Sequence, residues 1–339
     1  MDRGHFLPIF LLLTILFQPM TATAADITEQ LHRPIGSSLK RESRNEADRL
    51  LSLGEKQYQQ GSYAKAIESW LPALEIYRLL GDLKAQGLTY DFLSRGYVQL
   101  GRDKAADDAL RRRLAFARDL KDFQGQIFAL NNIGTFLLQK GEALAAVKTF
   151  SEAVEIARSV KNIEGQGLSL SNLGLATARL GDYNKAIKLY ESALNFRRQI
   201  RDKNGETNTL NNLGDAYLAA LNYQDSIGAY GYALRLAKIT SDRTSQLRAI
   251  DGLVMAHSAV ERYQRVFDLL QDRLALAQEL QNPQEELNSF EYYAQVCEQQ
   301  GNYLTARNFY ERAIIMAQTL KDSKKELFLV DKMNKMPKR

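Results

Sequence analysis

Written in rows of forty from Gly61, the chain falls into register without an insertion. A turn glycine stands at Gly61, Gly101, Gly141, Gly181 and Gly301, with Leu221 and Glu261 in the two remaining places. Two residues later come Tyr63, Tyr183, Tyr223, Tyr263 and Tyr303. Five later come the small residues Ala66, Ala106, Ala146, Ala186 and Ala306. At the ninth place every row has a large apolar residue: Trp70, Leu110, Phe150, Tyr190, Tyr230, Leu270 and Tyr310. Ala73, Ala153, Ala193, Ala233 and Ala313 follow three residues on, with Arg113 and Arg273 as departures. A period of this length marks a tandem array in which each unit cannot bury its apolar face alone.

Each unit reads as helix, turn, helix. Before the turns run Asn131-Asn132-Ile133-Gly134, Ser171-Asn172-Leu173-Gly174 and Asn211-Asn212-Leu213-Gly214, with Gly54 at the matching place of the first row. Small residues on facing sides let antiparallel helices approach, and the aromatic residue or leucine fills the groove beside them. A glycine just past the first helix accepts the left-handed conformation that ends it. Proline is absent from 73 to 282, as long helices with short turns require. No linker-like stretch separates domains between 45 and 320, so one continuous array is expected.

These residues resemble the tetratricopeptide repeat, whose pattern is Leu-Gly-x-x-Tyr, then Gly-x-Tyr, then alanine, an aromatic residue and alanine. The row Leu213, Gly214, Tyr217, Tyr223, Tyr230, Ala233 carries it closely, and the row Gly174, Gly181, Tyr183, Ala186, Tyr190, Ala193 nearly as well. The resemblance covers residues 45–320 as seven repeats of the longer, forty-residue type. It implies an all-α fold, a right-handed superhelical solenoid of helix-turn-helix repeats. Residues 321–339 are expected to form a capping helix and basic tail, with Leu327, Val330 and Met333 at helical spacing. Ser94 and Arg113, and later Val254, Glu261, Val266 and Arg273, depart from the pattern, so looser packing or a partner-covered flank is expected there. Pro72, well inside a second helix, is expected to kink it.

The resemblance also implies a groove. First helices line the concave face in this family, and the residue two before the family glycine points into it. Down the array that position reads Ser52, Phe92, Asn132, Asn172, Asn212, Gly252 and Tyr292. An asparagine ladder offers both donor and acceptor to the backbone of an extended peptide. Asn131, Asn211, Asp215, Arg179 and Arg95 are expected beside it, among other polar residues that set side-chain preference. The same asparagines would alternatively cap neighbouring helices or bond within the array. The lysine that chaperone-docking members place before such asparagines is missing.

Residues 1–25 read as a secretory signal: Arg3, an apolar run from Phe6 to Phe17, then Thr21-Ala22-Thr23-Ala24-Ala25. Twelve helical residues span only about 18 Å, short of the roughly 30 Å hydrocarbon core, which disfavours an uncleaved membrane anchor. Residues 26–44 read as a flexible leader. An exported protein is expected, in the periplasm, or in the thylakoid lumen if the host is photosynthetic. The net charge of +5 sits mostly in the tail, where seven Lys/Arg face three Asp/Glu after position 320. A nucleic-acid surface is therefore not expected, while contact of the tail with anionic membrane stays open.

One cysteine and three histidines leave little for a metal site or nucleophile. His257 and Cys297 fall in a core slot that holds Tyr97 and Tyr217 in other rows, and Trp70 in the aromatic packing slot. Arg111-Arg112-Arg113 reads as a solvated helix face. Gly165-Gln166-Gly167 lacks the strand and third glycine of a dinucleotide fingerprint. No catalytic residue, cofactor or metal is expected. The expected function is a protein-interaction scaffold or assembly factor for extended segments of an envelope complex. A peptide-responsive regulator and a membrane-surface adaptor are the alternatives.

Overall fold

The computed structural model describes residues 36–337, and the expected signal sequence lies outside them. All regular structure among the described residues is α-helix. The chain forms two compact units, residues 1–100 and 101–339. The first carries α1 (Gly36–Gln59), α2 (Tyr63–Leu80) and α3 (Leu83–Gln99). The second carries α4 (Asp103–Asp119), α5 (Phe123–Gln139), α6 (Ala143–Ser159), α7 (Ile163–Arg179), α8 (Tyr183–Gln199) and α9 (Lys203–Ala219). It continues with α10 (Tyr223–Ile239), α11 (Arg243–Ala259), α12 (Tyr263–Glu279), α13 (Pro283–Gln299), α14 (Tyr303–Thr319) and α15 (Ser323–Lys335). The first helix begins at Gly36 and so takes in residues 36–44 of the expected leader.

The geometric period is half the sequence period. From α2 onward helices start every twenty residues, and the residue two before each start from Tyr63 to Ser323 has a positive φ. Glycine holds six of these places; Lys121, Lys161, Arg201, Leu221, Ser241, Glu261, Gln281 and Lys321 hold the others. After α5, Gly141 N–H bonds to the Leu138 carbonyl and Glu142 N–H to that of Leu137, a Schellman end. Non-glycine residues adopt the same left-handed turn at a cost of about 1–2 kcal/mol each, offset by these bonds and by the stacking they permit. Glycine at six of these fourteen turns is thus a bias of the sequence rather than a demand of the fold.

The odd-numbered helices from α3 to α15 open on a second ladder. Asp82, Asp122, Asn162, Asp202, Asp242, Asn282 and Asp322 each accept a hydrogen bond from the backbone N–H three residues on. Each cap contributes about 1 kcal/mol.

Aromatic-on-glycine packing joins the two helices of a hairpin. A β-carbon on Gly174 would stand 2.7 Å from the Tyr190 ring, and one on Gly214 equally close to Tyr230. In the first unit Gly54 lies under Trp70 in the same way, and the Trp70 indole donates to the Leu51 carbonyl at 3.1 Å. Helix α2 runs unbroken through Pro72. Pro72 and Glu68, whose carbonyl loses its partner there, are both exposed, so the proline sits on the solvent side of the helix.

Bulky residues change the packing around α12. Val254 replaces the family glycine and Arg273 replaces alanine, and the helices there approach less closely than around α8. Arg273 nevertheless fills its space completely. It is 2% exposed, bonds to Asp251 at 2.5 Å, to Glu285 at 2.8 Å and to Ser289 at 2.7 Å, and lies over the Tyr292 ring. The departure that suggested slack is a buried ion network. Arg111 and Arg112 pair with Asp107 and Asp108 on the solvated face, whereas Arg113 turns inward toward Asp122.

The last helix packs through two of the three expected residues, Val330 and Met333, but not through Leu327. Leu329 and Met336 are buried, with Val330 and Met333 partly so, while Leu327 and Phe328 face solvent. Arg307 donates to the Met336 carbonyl and fixes the end.

Candidate functional site

In the second unit the odd-numbered helices present one repeated face, and its buried edge is polar. Asn131, fully enclosed on α5, donates to the Ile127 carbonyl and to Ser169 Oγ of α7, both at 2.8 Å. Its Oδ1 accepts from Asn172 Nδ2 at 2.8 Å. One repeat on, Ser171 and Thr209 share a hydrogen bond at 3.1 Å. A further repeat on, the rung is broken. Asn211 is 0% exposed and neither amide atom has a partner. The position that carries Ser169 beside Asn131 is Ala249 beside Asn211, and the one that carries Asn172 is Gly252. Asn131 therefore braces α5 against α7, and Asn211 is enclosed without a bond across to α11; neither reaches the groove, contrary to expectation. Adjacent helical residues point about 100° apart, so the neighbours of outward asparagines turn inward.

Asn132, Asn172 and Asn212 are partly exposed on the outer face. Asn172 is held by its bond to Asn131, which engages the amide nitrogen and leaves the oxygen outward. Asn212 is held the other way round. Arg248 of α11 donates to Asn212 Oδ1 at 2.7 Å and to Asp215 Oδ2 at 2.6 Å, and Tyr230 hydroxyl donates to the other Asp215 oxygen. Gly214 and Gly252 make this possible, because a side chain at either would occupy the Tyr230 ring. Burial raises the Tyr230 phenol above its ordinary range, and the Asp215 charge adds to the shift. The hydroxyl thus stays a donor at neutral pH.

A pocket of about 240 Å³ opens beside this cluster. Arg179, Tyr183, Tyr190, Asn212, Asp215 and Arg248 contribute to its wall. Burial raises the Tyr190 phenol as well, and it feels Asp215 on one side and Arg248 and Arg179 on the other. Three of the eight expected site residues, Arg179, Asn212 and Asp215, come together here, while Asn172 is bonded to Asn131. Arg95 belongs to the first unit, where it pairs with Glu55 at 3.0 Å and lies over the Phe92 and Tyr58 rings. Its charge and stacking are used within that unit.

A second pocket, of about 500 Å³, lies between α11 and α13, where the bulky row holds the helices apart. Val254, Met255, Tyr292 and Val296 line it with the uncharged Ser258, Gln295 and Gln299. Met255 and Gln295 hold the same repeat position as Asp215, and Tyr292 that of Asn212, so both pockets open on one face. The departures at Val254, Glu261, Val266 and Arg273 point to looser packing or a partner-covered flank in this row, but not to a pocket or to its lining.

His257 and Cys297 are buried, as expected for core residues, and burial lowers the imidazole and raises the thiol. Among the described residues no group of three His, Cys, Asp or Glu is placed to hold a metal. No helix among them is long and apolar enough to cross a membrane. In the basic end segment, Lys325 is bonded to Glu291 and Lys335 to Asp331.

No curated protein sequence matches the chain at a significant level. A profile described as tetratricopeptide repeat matches residues 126–199 and 166–239. Solved structures agree in fold. The apo form of RapI superposes with a TM-score of 0.61 at 16% identity, covering 82% of this chain and 99% of that one. A Rap protein complexed with competence and sporulation factor gives 0.56 at 15% identity, over 82% and 76%. A STAND-class signal-transduction ATPase with a tetratricopeptide repeat sensor, from Pyrococcus horikoshii, gives 0.67 at 18% identity, over 86% of this chain and 45% of that one. Residues 126–239 carry tetratricopeptide repeats, and the described chain has the all-α tandem-helix fold of a tetratricopeptide-repeat solenoid.

Proposed function

We propose that this protein is a non-enzymatic interaction scaffold that holds an extended peptide segment of a partner along the odd-numbered helices of its second unit. The observation that carries the reading is the pair of oriented amides. Asn172 leaves its oxygen free and Asn212 its nitrogen, one repeat apart, each fixed by a bond from its other amide atom, to Asn131 and Arg248 respectively. A peptide backbone presents the complementary donor and acceptor whatever its sequence. Each bond contributes about 0.5–1.5 kcal/mol net, and prior orientation keeps that contribution from being lost to ordering. The Rap protein complexed with competence and sporulation factor is a fold relative that supports binding of a partner by such an array.

The leader-like residues 1–25 support action outside the cytoplasm, in the periplasm or a thylakoid lumen, with an envelope complex as the source of the bound segment. Fractionation of cells expressing the tagged chain tests that part; retention in the cytoplasm would refute it.

For the groove, a displayed library of extended peptides is selected on the full-length protein and on the Asn172→Ala/Asn212→Ala double variant. Binders recovered by the first and lost by the second, with unchanged helical circular dichroism, support the reading. Equal recovery on both sinks it.

A second reading is favoured by the broken rung at Asn211. A ligand spanning Asn212 and Arg248 would tighten α9 against α11 and so act as a signal as well as cargo. Slower amide exchange confined to those helices on peptide binding would support it, and uniform exchange would refute it.

A further inference from the structure

The two pockets on the odd-numbered face differ in chemistry, and their separation is fixed by the repeat. The wall of the smaller holds two guanidiniums, Arg179 and Arg248, against the single carboxylate of Asp215. Arg248 is bound to that carboxylate. Arg179 is exposed and enters no ion pair among the described residues. A ligand group that accepts hydrogen bonds and carries one negative charge completes this set. The larger pocket has no charged residue in its lining, and Met255, 45% exposed, offers an apolar floor that water covers poorly.

We infer that the partner segment carries an acidic residue seated between Arg179 and Arg248 and a large apolar residue seated against Met255 and Tyr292. This deepens the peptide-binding reading above and rests on it.

The spacing follows from helix geometry. The smaller pocket lies against α7 and α9 and the larger between α11 and α13, about two steps along the row of odd-numbered helices. Packed helices stand about 8–10 Å apart and α11 and α13 stand wider, so the sites are about 16–20 Å from each other, toward the upper end. Extended chain advances about 3.3 Å per residue, which places the acidic and apolar residues five or six positions apart. At the smaller site the backbone passes Asn212, whose free amide nitrogen can hold a carbonyl. Charge gives the acidic site its selectivity over a basic side chain, and the volume and uncharged lining of the larger site give it a preference for leucine, methionine or phenylalanine over alanine.

The test uses fluorescein-labelled twelve-residue peptides of serine and glycine that carry one Glu and one Leu. The two are separated by two, five, six or nine positions in either order, and anisotropy is read with the full-length protein. The expected result is tightest binding at five or six, at least tenfold weaker with Glu replaced by Gln or Leu by Ala. Arg179→Gln abolishes the preference for Glu over Gln while leaving that for Leu over Ala, and Met255→Glu does the reverse. Both positions are exposed, so folding is retained, which far-ultraviolet circular dichroism verifies. Binding that needs Asn172 and Asn212 but ignores Glu, Leu and their spacing overturns this inference and leaves the peptide-binding reading standing. Failure of every displayed and synthetic peptide to bind overturns both.

Discussion

Replacing Ala249 with serine is expected to stabilise the protein, although alanine is the better helix former. Asn211 is wholly enclosed with both amide atoms unbonded. Two repeats earlier the same position holds Asn131, whose Nδ2 donates to Ser169 Oγ at 2.8 Å. Ser169 lies 38 residues after Asn131, and 38 residues after Asn211 lies Ala249, itself fully buried. A hydroxyl there would satisfy one of the two atoms. An unsatisfied buried polar group costs about 1–3 kcal/mol, against a helix-propensity loss of roughly 0.5 kcal/mol for Ala→Ser. The net gain is about 1 kcal/mol. Urea unfolding of the wild type, Ala249→Ser, Asn211→Ala and the double variant forms a cycle that isolates the pair. The serine should stabilise only while Asn211 is present and destabilise by roughly 0.5 kcal/mol in its absence. Destabilisation in both backgrounds would refute the broken-rung argument. Because an array unfolds in segments, amide exchange of α9 and α11 should be read beside the urea midpoint.

Asn131→Ala should cost about 2–3 kcal/mol, since it strands Asn172 and Ser169, while Asn211→Ala should be close to neutral; equal losses in urea would contradict the burial pattern. Gly174→Ala drives a methyl into Tyr190 and should cost about 2 kcal/mol, against about 1 kcal/mol for Gly181→Ala, which meets nothing but has φ +86°. Arg273→Leu leaves the half-buried Asp251 and Glu285 without their cation beside an apolar side chain and should cost about 3 kcal/mol; a loss under 1 kcal/mol would mean that water at their exposed edge takes over the lost bonds. Burial depresses the His257 imidazole, with Arg262 and Arg265 adding to it. The unfolded chain therefore takes up the proton first, and stability falls as pH drops below about 6.5. His257→Tyr, which restores the residue of other rows, should flatten urea midpoints between pH 5 and 7, and an unchanged slope would remove His257 as the cause.

The hairpin array is legible in the sequence because its determinants repeat where they pack: Gly174 under Tyr190 and Gly214 under Tyr230 are forty residues apart by necessity. The Asp/Asn caps at 82, 122, 162, 202, 242, 282 and 322 keep the same period and are equally open to reading, but they hold the turns between repeats, where Gly81 alone among seven turn residues is glycine. Asn131 and Asn132 are alike in type and adjacent, and only the direction of each side chain separates a brace from a groove residue. Arg273 looks like a flaw in a small-residue position, because its partners Asp251 and Glu285 lie 22 and 12 residues away and belong to other helices. The same distance effect hides the larger pocket, which exists because Val254 and Arg273 hold neighbouring helices apart.

A crystal structure of the full-length protein with a selected peptide bears most directly on the central claim. The account predicts extended density along the odd-numbered helices of the second unit, with a peptide N–H donating to Asn172 Oδ1 and a peptide carbonyl accepting from Asn212 Nδ2. Peptide density on the even-numbered helices, or a peptide that leaves both asparagines unbonded, would contradict it.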